Sequence, residues 1–176
     1  MDLSIVPECF VETNLIETLV PPTGKGYNHQ KGCGTVARTM KNSLGDEFAL
    51  GIVDKDKKEL DYLKEFDEVK NTGSLVLHKH KNKNHYIIQI CPVIEKFIFK
   101  AAEATGLSVV DYDLPSDLEQ FKKESKTEQS KKDVRFRNLF KALRRAGAPD
   151  FLTLAQWVEY LKSNPYSADL DYLRSL

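Results

Sequence analysis

The chain has 176 residues, 41% of them hydrophobic and 30% charged, a balance typical of a globular protein with a substantial core. Its 26 basic and 26 acidic residues cancel, which excludes a protein held on nucleic acid or on an anionic membrane by its overall charge. Any binding of nucleic acid would need a local basic face.

The three cysteines, Cys9, Cys33 and Cys91, are odd in number and widely spaced, and no CxxC pair occurs. This pattern argues against a disulfide framework and a cysteine zinc site, and it favours a cytoplasmic location. The first residues lack a basic region followed by an apolar run, so we expect no signal peptide. No apolar run approaches the roughly 18 to 20 residues of a membrane helix, so we expect no membrane span.

The first half of the chain predicts two apolar strands separated by helices and a glycine-rich loop. Leu15, Ile16 and Leu19 lie at helical spacing, and the prolines at 21 and 22 end that helix. In chain order we predict a strand over 3–6, a helix beginning near 12, a loop over 21–34, a helix over 35–43 and a strand over 48–53. The last of these is continuously apolar, which is typical of a strand buried on both faces.

The second half predicts a hairpin followed by a helical tail. We predict strands over 75–78 and 86–90 joined by a polar turn, a helix from about 92 to 106, a short strand over 107–112, and helices over 116–124, 133–146 and 153–163. The polar stretch 122–132 predicts a mobile connector.

Strands that alternate with helices indicate an α/β fold, here a mainly parallel sheet flanked by helices. We expect an α/β domain over 1–114 and a helical extension packed on it over 115–176. Ligands of such sheets collect at the carboxyl ends of strands. That rule selects Glu8, after the first strand, and the pair Asp54 and Asp56, after the second apolar strand.

The spacing of Asp54 and Asp56 predicts a cation site. Residues i and i+2 of an extended segment point the same way, so both carboxylates can converge. Two such charges 4 Å apart repel by about 4 kcal/mol at an effective dielectric of 20. Oxygen ligands at a strand edge suit Mg²⁺ or Mn²⁺. The competing interpretation is a solvated turn whose run of acids and lysines neutralises itself.

Two segments resemble the metal-binding motifs of Toprim domains. Residues 5–16, IVPECFVETNLI, resemble the opening strand that delivers a glutamate, and residues 51–56, GIVDKD, resemble the apolar strand that ends in DxD. The resemblance covers roughly residues 3 to 110 and implies a Rossmann-like Toprim fold. It further implies Mg²⁺ bound by Asp54 and Asp56, Glu8 as general acid/base or further ligand, and Glu12 in the place of the family's aspartate.

The compact layout is most similar to the nuclease branch, which includes the overcoming-lysogenization-defect nucleases, and to small stand-alone Toprim-like proteins. We therefore expect Mg²⁺-dependent phosphodiester hydrolysis of nucleic acid, with a second ion held by Glu12, Glu59 or Glu95. One alternative is a non-catalytic module that binds another protein chain. The other is metal-dependent phosphotransfer on a small nucleotide.

Candidate phosphate contacts are Lys25, Lys57, Arg144 and Arg145. Segment 115–149 carries ten basic and five acidic residues, and the loop residues His29 and Lys31 could close over the site with Lys25. A charge run is more often a solvated helix surface. Three histidines, at 78, 80 and 85, surround the predicted hairpin; their spacing could ligate a transition metal, but we expect an exposed, basic hairpin.

Overall fold

The computed structural model describes residues 2–55 and 60–176 as one α/β structure with five strands and seven α-helices in that part of the chain. The strands are β1 (Ile5–Pro7), β2 (Ala49–Asp54), β3 (Phe66–Asn71), β4 (Leu75–His80) and β5 (His85–Ile90). The helices are α1 (Phe10–Leu19), α2 (Cys33–Arg38), α3 (Ile94–Thr105), α4 (Leu118–Ser125), α5 (Val134–Arg145), α6 (Pro149–Ser163) and α7 (Leu170–Ser175). A π-helical turn, Thr39–Leu44, extends α2, and short 3₁₀ helices include Asp61–Glu65, Val109–Tyr112 and Glu128–Lys131.

The five strands form one mixed sheet in the order β1-β2-β5-β4-β3. Strands β1, β2 and β5 are parallel, whereas β4 runs antiparallel to both β5 and β3. The prediction of a mainly parallel sheet is therefore wrong. The connections 72–74 and 81–84 are too short for a crossover, so they make hairpins and reverse the strand direction.

The strand β2 is buried on both faces, as its apolar run predicts. Leu50 and Ile52 face the larger hydrophobic cluster, while Ala49 and Val53 face a smaller one, in the alternation expected of a strand. Helices α1 and α3 to α6 supply the larger cluster. Helix α2, its π-helical turn and the 3₁₀ helix Asp61–Glu65 supply the smaller one.

The predicted strand over 107–112 is wrong, because the chain there forms the 3₁₀ helix Val109–Tyr112. Val109 is buried and Val110 is exposed, so the apolar pair does not lie in a sheet. The prediction of a mobile connector over 122–132 is also wrong. Helix α4 continues to Ser125, and the 3₁₀ helix Glu128–Lys131 follows with Ser130 buried.

The helical segment after residue 115 contributes to the same hydrophobic cluster as the sheet. Phe136, Phe140 and Trp157 are fully buried there together with residues of β2 and α1. A buried polar link reinforces this packing. The Asn14 side-chain amide donates to the carbonyls of Ser130 at 2.8 Å and Asp133 at 3.0 Å.

Within the described residues, none of the helices combines the length and apolar character that crossing a membrane requires.

We predict that Gly51→Val lowers the free energy of unfolding by about 1–3 kcal/mol through overpacking. A Cβ atom at Gly51 would lie 2.7 Å from the Met40 sulfur and 3.0 Å from a Val36 methyl, so α2 approaches β2 because residue 51 has no side chain. Urea unfolding measures the change. Gly34→Ala is the control, since that helical glycine has open space around it and the added methyl should stabilise by roughly 0.5–1 kcal/mol. Equal effects of the two variants would contradict the close-packing explanation.

We further predict that Asn14→Ala destabilises the protein by about 2–4 kcal/mol. The substitution removes two hydrogen bonds and leaves two carbonyls of the 130–133 turn without that donor. Asn138, an exposed residue of α5, offers the matched control Asn138→Ala, which should stay within roughly 0.5 kcal/mol of wild type. Denaturant unfolding of the two variants measures the difference. Similar unfolding midpoints for Asn14→Ala and Asn138→Ala would show that Asn14 does not anchor the helical segment.

Candidate functional site

The carboxyl ends of β1 and β2 bring Glu8 and Asp54 together. The two strands are parallel neighbours, so Glu8 follows β1 at the same edge at which Asp54 ends β2. The Glu8 carboxylate accepts a hydrogen bond from the backbone N–H of Asp54 at 2.9 Å. The two apolar strands are thus neighbours in the sheet, and Glu8 and Asp54 lie at the same edge of it.

Glu12 lies beneath this pair on the first turn of α1 and is fully buried. Its Oε2 accepts hydrogen bonds from the backbone N–H groups of Glu8 and Cys9, each at 3.0 Å. Its Oε1 is buried and has no hydrogen-bond partner among the described residues. Burial raises the pKa of Glu12 well above its ordinary value, and the negative charges of Asp54 and Glu8 raise it further.

Asp54 also holds the beginning of α3. Its Oδ1 accepts a hydrogen bond at 2.7 Å from the backbone N–H of Ile94, the first residue of that helix. A carboxylate is favourable at this position because it meets an unsatisfied N–H and the positive end of the helix dipole. Helices α1 and α3 therefore both begin beside the acidic residues at this sheet edge.

The carboxylate oxygens at this edge are ligands of the kind that a hard divalent cation prefers. Glu8 and Asp54 are described residues that could contribute ligands, and Glu12 keeps its buried Oε1 while two backbone amides hold its Oε2. Between residues 2 and 55 and from 60 onward, no three His, Cys, Asp or Glu side chains are arranged to hold a metal ion. Asp56, the second aspartate of the DxD motif, lies outside the described residues, as do Lys57 and Glu59.

A group of cationic and aromatic side chains lies beside the acids. The loop after α1 runs along β1, with the N–H of Gln30 donating to Pro7 and that of Gly32 to Glu8. This path places the His29 ring against Phe10, with ring centroids 4.3 Å apart and planes inclined by 24°. The Lys31 ammonium lies over the same Phe10 ring, 5.5 Å from its centroid.

The helical tail completes this group with Lys131. Burial lowers the pKa of His29, and the positive charges of Lys131 and Lys31 lower it further, so Lys131 acts electrostatically on the ring. His29 also hydrogen-bonds through Nδ1 to the Thr13 hydroxyl at 3.0 Å. The sequence marks Lys131 only as one of the basic residues of segment 115–149 and does not single out Phe10. The approach of Lys131 to His29 has no local signal, because residues 102 positions apart are brought together only by tertiary packing.

Two predicted phosphate contacts lie away from the acids. Lys25 lines a surface groove with Asp2 and Leu3, which precede β1 and so mark the opposite end of that strand from Glu8. The Arg144 guanidinium donates to the Leu19 carbonyl at the end of α1 and pairs with Glu159 at 3.6 Å. Ten residues of α1 separate that carbonyl from the acidic edge, about 15 Å.

The adjacent Arg145 is exposed near the end of α5. Glu95, a candidate ligand for a second ion, is buried and accepts a hydrogen bond from the Ser125 hydroxyl at 2.6 Å. That contact joins α3 to α4. Neither residue is described in contact with Glu8, Glu12 or Asp54.

The expectation of an exposed basic hairpin is wrong for two of its histidines. His80 and His85 are buried beside the aromatic ring of Tyr62. His85 Nδ1 lies 2.7 Å from the Tyr62 hydroxyl, and burial lowers the pKa of His85 to about 4, so the ring is neutral at pH 7. His78 is half-buried and hydrogen-bonds to Gln89 at 2.9 Å. His80 and His85 thus pack against Tyr62, a residue of the smaller hydrophobic cluster.

Comparisons with protein-family models, with curated proteins and with solved structures found no match to this chain.

We predict that the metal-free protein loses stability as the pH rises above the ordinary glutamate pKa of 4.5. The pKa of Glu12 is raised in the folded protein, so the folded state keeps a proton that the unfolded chain has released. Glu12→Gln keeps an oxygen for the two amides and stays neutral, so its stability should depend less on pH. Urea unfolding in EDTA at several pH values from about 5 to 8 measures how the free energy of unfolding of each protein changes with pH. The control is Glu103→Gln, an exposed position on α3 that should retain the wild-type slope; equal slopes for all three proteins would contradict the burial of an uncompensated carboxyl.

Proposed function

We propose that this protein is a nuclease that hydrolyses phosphodiester bonds with a bound Mg²⁺ or Mn²⁺ ion, in the manner of Toprim domains. The observation that carries the proposal is the meeting of Glu8 and Asp54 at the carboxyl ends of two adjacent parallel strands. This is the edge of an α/β sheet at which ligands bind. The resemblance of residues 5–16 and 51–56 to Toprim motifs supports it from the sequence.

In this proposal Asp54 and Asp56 hold the ion, and Glu8 removes a proton from the attacking water or positions that water. The bound ion supplies Lewis acidity toward the scissile phosphate. The backbone supports these roles, because Glu12 fixes the turn that carries Glu8, and the amide of Ile94 fixes the orientation of Asp54. A carboxylate restrained in this way loses little freedom when a cation binds.

The second candidate is a non-catalytic module that binds a protein partner. The observation in its favour is that all three acids accept hydrogen bonds from backbone amides. Glu8 accepts from Asp54, Glu12 accepts from Glu8 and Cys9, and Asp54 accepts from Ile94. Under this alternative the carboxylates are structural, and isosteric amides would replace them without loss of function.

We expect Asp54→Asn to abolish saturable Mg²⁺ and Mn²⁺ binding, and Glu8→Gln to lower the rate of metal-dependent hydrolysis by about 100-fold or more. Each amide keeps a side-chain oxygen for the backbone N–H that the acid accepts, so the fold should persist while the charge is lost. Calorimetry measures the metal binding, and initial rates on labelled DNA and RNA oligonucleotides measure the cleavage.

Asp111→Asn is the matched control. Asp111 is exposed on the 3₁₀ helix that follows α3, and α3 carries the chain about 18 Å away from the acidic edge. This variant should bind metal and cleave as wild type does. If the two site variants retain wild-type metal binding, the nuclease proposal fails and the non-catalytic alternative stands.

A further inference from the structure

The Phe10 side chain lies two residues after Glu8 and is only half-buried, although it opens a helix that is otherwise well packed. Two consecutive peptide units place its Cα within about 7.6 Å of that of Glu8. One aromatic neighbour, His29, stacks against it at 4.3 Å. An aromatic pair therefore stands directly beside the proposed reaction centre.

Two ammonium groups accompany this pair. Lys31 is exposed and lies over the Phe10 ring. Lys131 is half-buried at the end of the 3₁₀ helix Glu128–Lys131, which Asn14 of α1 holds through the carbonyl of Ser130. Within the described chain neither ammonium lies within 4.0 Å of a carboxylate. Some cations of the helical tail, such as Arg135, are instead bound in ion pairs. Lys31 and Lys131 are therefore available to an anionic ligand.

The structure holds Lys131 at this position by a specific contact. The buried Asn14 amide donates to the carbonyl of Ser130, the residue before Lys131, and to the carbonyl of Asp133, two residues after Lys131. Thr13, next to Asn14 on α1, hydrogen-bonds to His29. Two adjacent residues of α1 therefore hold His29 and the turn that carries Lys131. Lys131 is positioned by this buried contact although it belongs to the helical segment after residue 115.

We propose that Phe10, His29, Lys31 and Lys131 form a strand-binding subsite for single-stranded nucleic acid, in which a nucleobase stacks on Phe10 and the two lysines contact backbone phosphates. The inference rests on the proposed nuclease function and names its substrate class. An aromatic ring flanked by cations is the combination that binds single strands without sequence preference. A duplex fits poorly, because its bases are already stacked on one another and present no free face to a side chain.

The contact that Lys31 makes with Phe10 does not block this role. An exposed cation–π contact is weaker than the stacking of a base on an aromatic side chain, so a base displaces the ammonium. The displaced ammonium is then beside the phosphate that follows that base. The DNA and RNA backbones share this chemistry, and the experiment separates them.

The experiment is fluorescence anisotropy of labelled oligonucleotides of about 12 nucleotides, in EDTA so that no cleavage occurs. The probes are oligodeoxythymidylate, oligouridylate and a mixed-sequence DNA duplex. We expect wild type to bind both single strands more tightly than the duplex. Phe10→Leu should weaken single-strand binding about tenfold, whereas Phe10→Trp, which keeps a stacking surface, should retain it.

The double variant Lys31→Gln/Lys131→Gln should flatten the dependence of log affinity on log salt by about 1.4, the contribution of two phosphate contacts on a single strand. The matched control is Lys123→Gln/Lys126→Gln, two exposed lysines on and just after α4, which should leave the slope unchanged. Circular dichroism and thermal unfolding establish that each variant is folded. A difference between the deoxyribose and ribose probes identifies the preferred strand.

Equal or tighter binding of the duplex by wild type, or absence of single-strand binding, would overturn the inference. Unchanged affinity in Phe10→Leu together with an unchanged salt slope in the lysine double variant would do the same. The proposed nuclease function fails by a separate result, because metal binding and cleavage in the Asp54→Asn and Glu8→Gln proteins do not depend on this assay. If single-strand binding is lost in Phe10→Leu but kept in Asp54→Asn, strand binding and metal-dependent cleavage belong to two different sets of residues.

Discussion

The buried carboxyl of Glu12 is the contact on which the acidic edge of the sheet depends. It accepts the backbone N–H groups of Glu8 and Cys9, so the chain can turn sharply from β1 into α1 without leaving these amides in the interior unpaired. The amide of Glu8 is shared with the carbonyl of Ile52 at 3.0 Å, which ties the same turn to β2. In this protein the side chain of α1 that satisfies these amides is a carboxyl group in the interior, close to two other acids.

The burial of the Glu12 carboxyl beside two other acids has an electrostatic consequence. Glu12 is fully buried, and Asp54 and Glu8 act on it with negative charge, so ionising all three acids together is unfavourable. A proton on Glu12 relieves the repulsion, and so does a cation beside Glu8 and Asp54. The hydrogen bonds to backbone amides restrain the three carboxyls, but they do not neutralise them. This fold therefore brings three acids that pair with backbone amides to one edge of the sheet, which is the physical link between the architecture and the proposed metal site.

More of the acidic edge than of the surrounding surface could be predicted from the sequence. The apolar runs that end at Pro7 and Val53 indicate strands, and the rule for carboxyl ends of parallel strands then places Glu8 and Asp54 together. The strand β3 escaped prediction because FDEVKN is a polar edge strand with two buried residues, and α7 escaped because it has six residues and one buried leucine. The approach of Lys131 to His29 has no local signal, since it depends on how Asn14 anchors a turn more than a hundred residues away.

The distribution of charge along the chain makes the proposed action on a polyanion compatible with a net charge of zero. Several basic residues are committed to the fold: Arg135 pairs with Glu124 and Asp133, and Lys162 pairs with Asp2 at 2.9 Å. Such pairs contribute little field at a distance, because each cation lies beside an acid. Lys31 and Lys131 differ in that they lie beside aromatic rings, next to carboxylates that a bound cation would neutralise. In the proposed complex the metal ion would neutralise most of the negative charge of the acidic edge, and the two lysines would provide a positive surface beside it. The affinity for a strand would thus arise locally and increase when the ion binds, which agrees with a formal net charge of zero.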